Sequence, residues 1–287
     1  MKKDYSGYFY ILPATIFIFL FSIIPIGMSL FYSFNKFNII QPMEWIGLDN
    51  YKNMFKDPYV IASLKNTIVY ALIVVPTTTI LSMMIAALIT SRSRNIWNGF
   101  VKSTLFIPVI SSMILVGTLW RIMYNPQVGL INQFLNIFHI DAINWLGSKK
   151  LALLSICVVG VWKNVGYFMV IYIAAILDIP RELYEAGRVD GASSIQQFWH
   201  ITLPMLKPIN FLVVILGTIW SFQVFDLVYT MTGGGPGTST VTLVSTIYNA
   251  AFREYKMGYA CAVAMMLFAI IIVISILQQQ LLNKKEH

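Results

Sequence analysis

Apolar positions in this chain come in long uninterrupted runs separated by short polar segments. An α-helix rises 1.5 Å per residue, so about 20 mainly apolar residues cross a hydrocarbon core roughly 30 Å thick. Six stretches reach that length: 9–34, 66–90, 101–123, 151–177, 209–230 and 259–282. The pattern predicts an all-α membrane protein, with residues 1–287 forming a single domain of six transmembrane helices. An even number of spans places both termini on one side.

Composition supports a bilayer as the solvent, since 57% of residues are hydrophobic and 11% charged, against about 25% charged in soluble domains. The start Met1-Lys2-Lys3 resembles the basic end of a secretory signal, but the apolar run Tyr8 to Phe34 is too long for one and no small-residue cleavage site follows. It reads as a retained first span. Cys157 and Cys261 both fall inside apolar stretches, where small buried packing residues are expected and no disulfide framework is.

The net charge of +8 is spread through short loops and forms no basic patch, so it points to membrane topology and away from nucleic acid. With the termini inside, the inner segments hold ten basic residues: Lys2, Lys3, Arg92, Arg94, Lys102, Arg181, Arg188, Lys207, Lys284 and Lys285. The longer outer loops hold nine. Aromatics near the span ends, Tyr8, Tyr10, Trp97, Trp120, Tyr124 and Trp145, fit an interfacial belt or simple packing. Pro13, Pro25, Pro76 and Pro108 interrupt the first three spans and predict kinks.

The loop 178–208 reads as two short helices. Pro180 suits a first-turn position, with Glu182 and Glu185 near the N-terminus. Asp190-Gly191 makes a turn, and Ser193 with Gln196 completes a capping box. Ile195, Phe198 and Trp199 follow at i, i+3, i+4 spacing, and Pro204 is expected to stop the helix. The outcome is an apolar knob, either a docking surface for a cytosolic partner or a stripe lying on the membrane interface.

These residues resemble a known motif. Glu185-Ala186-Gly187-Arg188-Val189-Asp190-Gly191, followed by Ile201-Thr202-Leu203-Pro204, resembles the "EAA" loop of permease subunits in binding-protein-dependent ABC importers. That pattern is Glu-Ala-Ala, a Gly three residues on, nine variable residues, then Ile-x-Leu-Pro. Gly187 departs from it, standing at the second Ala, at a cost of up to about 1 kcal/mol in helix propensity. Tyr124-Asn125-Pro126 with Gly129 and Asn132, and Thr232-Gly233-Gly234-Gly235-Pro236, look like elements of the carbohydrate-uptake branch, relatives of the maltose and glycerol-phosphate permeases. Read without that resemblance, the glycine run is a flexible turn; it lacks the Lys-Ser/Thr ending of a phosphate-binding loop.

The resemblance implies a bacterial cytoplasmic-membrane, multi-pass subunit with both termini cytoplasmic, paired as a heterodimer with a second permease. Two partner ATPases would bind ATP and Mg, and an extracytoplasmic solute-binding protein would dock on outer loops 35–65, 121–150 and 231–258. This chain has no Walker motif, and no cofactor or metal of its own is implied. The coupling contact falls on Glu185, Ala186, Gly187, Asp190 and Gly191, with Phe198 and Trp199 as apolar support.

A sugar pathway calls for hydroxyl-matching groups and flat aromatic faces set sparsely in an apolar bundle. The fourth span supplies Trp162, Lys163, Asn164 and Tyr167, and the fifth Trp220, Ser221, Gln223 and Asp226. The family carries substrate contacts onto Asn164, Tyr167 and Ser221. Lys163 and Asp226 are ionisable residues inside spans, costly and functional by default. Lys163 alternatively pairs with backbone carbonyls or another subunit, and Asp226 with the outer headgroup layer. A secondary transporter or channel working without an ATPase is the alternative, but it lacks intramembrane carboxylates and histidines beyond these. No cluster has the spacing of an enzyme's catalytic or metal site.

Overall fold

The structure is a computed structural model and describes residues 6–91 and 96–283. Lys2, Lys3, Arg92, Arg94, Lys284 and Lys285 lie outside the described residues, as do the side chains of Tyr8 and Trp97.

The chain is helical almost throughout. In order come α1 (Ser6–Ile18), a π turn (Phe19–Ile23), α2 (Ile24–Ser33), β1 (Asn35–Lys36), β2 (Glu44–Trp45), α3 (Asp49–Met54), α4 (Pro58–Ser91), α5 (Ile96–Ile110), α6 (Met113–Met123), α7 (Leu130–Ile137) and α8 (Ala152–Leu177). There follow α9 (Arg181–Val189), α10 (Ser194–Gln197), a π turn (Phe198–Thr202), α11 (Leu203–Met205), α12 (Lys207–Phe222), α13 (Asp226–Met231), α14 (Leu243–Tyr248), a third π turn (Asn249–Arg253) and α15 (Met257–Asn283).

Among the described residues, four helices are long and apolar enough to cross a membrane unaided: Tyr10–Ser33, Pro58–Thr90, Ala152–Leu177 and Met257–Gln280. They match the first, second, fourth and sixth predicted stretches, with α4 starting earlier than 66. The third stretch is not one rod, because α5 and α6 meet at 105°. Pro108 removes a backbone donor near the end of α5, and Ser112 caps α6 by accepting from the Leu115 amide at 3.3 Å.

The fifth stretch, expected at 209–230, also differs. Its helix α12 ends at Phe222, and the apolar partner that it bends against, by 68°, is Ser194–Met205 upstream. If each bent pair counts as one span, the total is six.

Two of the π turns have one cause. Phe19–Ile23 ends two residues before Pro25, and Phe198–Thr202 two residues before Pro204. A proline ring clashes with the carbonyl four residues back, and widening the preceding turn relieves the clash without breaking the helix. Pro204 therefore does not stop its helix as expected; it sits inside α11.

Two compact units are distinguished. The first comprises Met1–Ile61 with Thr246–Ile270. There β1 and β2 pair antiparallel, Asn35 against Trp45 and Lys36 against Glu44. The buried Asn50 amide donates to Ser33 O at 2.8 Å and Asn35 O at 2.9 Å, and the Ser33 hydroxyl meets Tyr51 Oη at 2.7 Å. Gly258 packs so closely on the Asn35 carbonyl that a Cβ there would overlap it.

The second unit comprises Ala62–Ser245 with Ile271–His287. Its core has two clusters, one around Tyr70, Ile156, Val159 and Val228, the other around Phe168, Met169, Tyr172 and Leu206. Helices come close at small residues, as they do in membranes. A Cβ on Gly166 of α8 would strike the Leu105 carbonyl of α5, and one on Gly117 of α6 would press on Thr230 of α13. Span hydroxyls are satisfied locally: Thr67, Thr90, Thr118 and Thr218 each donate to the carbonyl four residues back. Cys157 is buried, Cys261 is half-buried in the first unit, and neither is in a disulfide.

Candidate functional site

The loop between α8 and α12 is built as a rigid lever. Pro180 is the N-cap residue of α9, one place before the first-turn position expected of it, and Glu182 lies in the first turn. At the other end the Ala192 amide donates to Gly187 O at 2.8 Å and the Gly191 amide to Arg188 O at 3.1 Å. With Gly191 at φ +78°, this is a Schellman end, which needs a residue without Cβ strain at that place. Ser193 then forms the expected capping box with Gln196.

The second helix runs Ser194–Met205, with its middle widened into the π turn that carries Phe198 and Trp199, their rings 5.7 Å apart edge to face. Ile195 and Trp199 are exposed, and Phe198 is half-buried. Tyr184 Oη meets Thr202 Oγ1 at 2.8 Å and Gln197 Nε2 donates to Tyr184 O at 3.4 Å, tying α9 to the turn.

Gly187 lies against this contact, where an alanine Cβ would come 3.2 Å from the mobile end of Ile201. None of the nine residues of α9 is buried. Glu185, Ala186, Asp190 and Gly191 are exposed together, with Arg188 4.0 Å from Glu185.

The pathway candidates separate into groups. Asn164, Trp220 and Ser221 line one small cleft with Thr78, Thr79 and Phe168. Tyr167 joins them, its ring 5.0 Å from that of Trp220, which also lies 5.4 Å from Phe168. Trp162 instead packs edge to face on Trp120 at 5.4 Å.

Lys163 points elsewhere again, donating to Pro108 O at 2.5 Å and Val109 O at 2.9 Å. These are carbonyls of the last turn of α5, left without helical partners by the break, and a cation there complements the helix dipole. The backbone-carbonyl reading of Lys163 is the one realised, and it accounts for how the sharp bend is tolerated. Gln223 and Asp226 are exposed around the break between α12 and α13.

Thr78 and Thr79 on α4 were missed by sequence reasoning. The signal was present: three consecutive threonines, Thr77 to Thr79, in an apolar run. Thr78 Oγ1 is buried with no hydrogen-bond partner.

The two loop motifs prove to be architectural. Asn125 Oδ1 accepts from the amides of Gln127 and Val128, turning the chain toward α7. The buried Asn132 donates to Ile143 O at 2.9 Å and accepts from the Ile143 amide and the Trp145 indole. Trp145 and Tyr124 pack together 5.6 Å apart, and Tyr124 is buried in the core of this unit.

The glycine run is held at several points: Thr232 Oγ1 meets Thr240 Oγ1 at 2.8 Å, and Asn66 donates to Thr238 O and Val241 O. Gly233, Gly234 and Gly237 all take positive φ, which glycine supplies without strain.

Long apolar helices, two bent pairs and an exposed, capped loop helix are the architecture of a membrane transport component. The solved structure of a bacterial ABC transporter involved in alginate import has the same fold, with a TM-score of 0.87 over 99% of this chain and 96% of that chain, at 23% identity.

Residues 62–286 match the family described as "Binding-protein-dependent transport system inner membrane component", and the chain belongs to that family. It is 37% identical over 276 residues to the probable ABC transporter permease protein YurN of Bacillus subtilis, covering 95% of this chain and 94% of that one. It is 33% identical to the sulfoquinovosyl glycerol transport system permease protein SmoG of Agrobacterium fabrum, over 96% of this chain and 89% of that protein. It is thus a permease component and not an enzyme.

Proposed function

We propose that residues 1–287 work as one transmembrane domain which, with a sister permease, forms a pathway for a sugar or oligosaccharide in the bacterial cytoplasmic membrane. Two partner ATPases, holding ATP and Mg, drive it, and an external binding protein delivers the solute. Both termini face the cytoplasm.

The observation that carries this reading is α9, a capped helix with no buried residue, presenting Glu185 and Ala186 to a partner while Gly187 lets the helix lie close on Ile201. It leaves α8 through only Asp178–Pro180, and it is tied by Tyr184 and Gln197 to the turn that runs into α12. A push on α9 therefore reaches both helices that carry Asn164, Tyr167, Trp220 and Ser221. Amide, hydroxyl and aromatic faces at one cleft suit a polyhydroxylated solute, and the Agrobacterium relative is named for a glycoside.

The test is affinity purification of the tagged chain in mild detergent, wild type against Glu185→Lys, with protein identification and an ATPase assay. Recovery of a second permease and an ATPase with wild type, and loss of the ATPase with the variant, is expected. A wild-type chain that purifies alone and moves solute into vesicles without ATP overturns the reading in favour of a transporter working without an ATPase.

A further inference from the structure

The first unit contains a cavity of about 790 Å³ that the pathway reading leaves unused, within the range of about 300–1,000 Å³ typical of small-molecule sites. Its walls come from the segment around β1, β2 and α3 and from the turn 249–259.

That turn is unusual in two ways. Asn249–Arg253 is a π turn, and unlike the other two among the described residues, no proline follows it to explain it. It runs into Tyr255 at φ +57°, a conformation that non-glycine residues other than Asn, Asp and His seldom adopt. Tyr255 is the residue that closes this helix end, with the Lys256 amide donating to Ala250 O at 2.8 Å, so its left-handed backbone is a helix stop set on a residue other than glycine. The inserted turn has no such local cause, π turns being frequent at functional sites, and both lie in the cavity wall.

Charge and chemistry define the ligand class. Lys36, Arg253 and Lys256 are balanced by Glu44, Asp57 and Glu254 on the same walls. Lys256 pairs with Glu254 at 2.8 Å, and Asp57 accepts from Tyr259 Oη at 2.7 Å and from the Tyr59 amide at 2.8 Å. The cavity walls therefore carry no net formal charge. What the cavity offers besides is the amides of Asn53 and Asn249, the Gln41 amide that already accepts from Asn38, and the rings of Tyr59 and Tyr255. Planar amides and exposed phenol faces match the hydroxyl edges and the apolar faces of pyranose rings.

We propose that this cavity is a receiving site for a neutral oligosaccharide, separate from the Asn164–Ser221 cleft. The proposal rests on the sugar reading above, because it assigns to the same solute a second place on the chain.

The experiment is saturation-transfer difference NMR on the full chain, purified with the subunits that accompany it and held in lipid nanodiscs. The probes are maltotriose, cellotriose and raffinose as neutral sugars, with trigalacturonate as the charged control. Two variants alter the cavity: Asn53→Ala, at an exposed position of α3, and Tyr255→Asn, since asparagine tolerates positive φ. Ser221→Ala alters the cleft. The expected result is a neutral-sugar signal that falls at least threefold with each cavity variant, persists in Ser221→Ala and exceeds that of trigalacturonate.

A signal lost in Ser221→Ala and unchanged in both cavity variants overturns the receiving site while leaving the sugar pathway standing. A preference for trigalacturonate overturns the assignment to neutral sugars. Absence of signal from every neutral sugar, with weakened capture of the binding protein by the cavity variants, overturns the proposal in favour of a polypeptide occupant. Absence of signal with unchanged capture overturns the receiving site as well, and only if the complex also fails to take up any sugar does the pathway reading fall with it.

Discussion

At the scale of single residues, Lys163 and Thr78 represent opposite solutions to polarity inside a membrane. Lys163 has found partners in the two carbonyls that the end of α5 leaves over. Lys163→Met strands both oxygens, and a loss of roughly 1.5–3 kcal/mol is expected for hydrogen bonds to a charged group. A lowered midpoint in thermal unfolding of the detergent-solubilised protein checks it, and an unchanged midpoint shows that the bend holds itself.

Thr78 has a hydroxyl with no partner, so Thr78→Val should raise the same midpoint, by about 1 kcal/mol of relieved desolvation. It should also raise the apparent KM for uptake if that hydroxyl meets the solute. A lowered midpoint instead reveals an ordered partner for the hydroxyl. Lys163 was legible from sequence as a costly residue needing a reason. Which reason applied was not, because the carbonyls that it meets lie over 50 residues away and are freed only by the bend.

At the scale of elements, the loop 178–208 was the segment most readable from sequence, because caps and turns are local. The Ser193–Gln196 box and the Gly191 turn depend on neighbours within five residues. Ser193→Ala removes the box, and a loss of about 1 kcal/mol of local stability is expected. It should appear as faster amide exchange across 193–202 with little change in the spans, and as weaker ATPase stimulation; uniform exchange between variant and wild type contradicts it.

The bent pairs were not readable to the same degree. Pro108 and Pro204 announced irregularity, but the clash of a proline ring resolves as a kink, a break or a widened turn according to what packs beside it. Gly166 against α5 and Leu206 in the core are what decided the outcome here.

At the scale of the whole molecule, topology is the claim to test. The proposed orientation, with both termini and α9 inside and 121–150 and 231–258 outside, makes a definite labelling pattern. Val189→Cys in α9 and Val128→Cys before α7 both replace exposed side chains. An impermeant maleimide added to intact cells should label residue 128 and spare residue 189, and inverted vesicles should show the reverse. The native Cys157 is buried and Cys261 half-buried, so background labelling should be low. Equal labelling of both positions from one side overturns the assigned orientation.

By itself the sequence determined the solvent of this protein, the approximate place of its apolar helices and the caps and turns of its loop 178–208. Each of these depends on run length, composition or spacing within a few residues. Tertiary structure alone decided which distant residues come together: Asn164, Ser221 and Thr78 around one cleft, Lys163 with the end of α5, and the rings of Tyr124 and Trp145. It alone also gathered residues from 36 to 259 around one cavity. These pairings join segments far apart in the chain, and they follow from close approach at glycines and from bends whose angles no local pattern encodes.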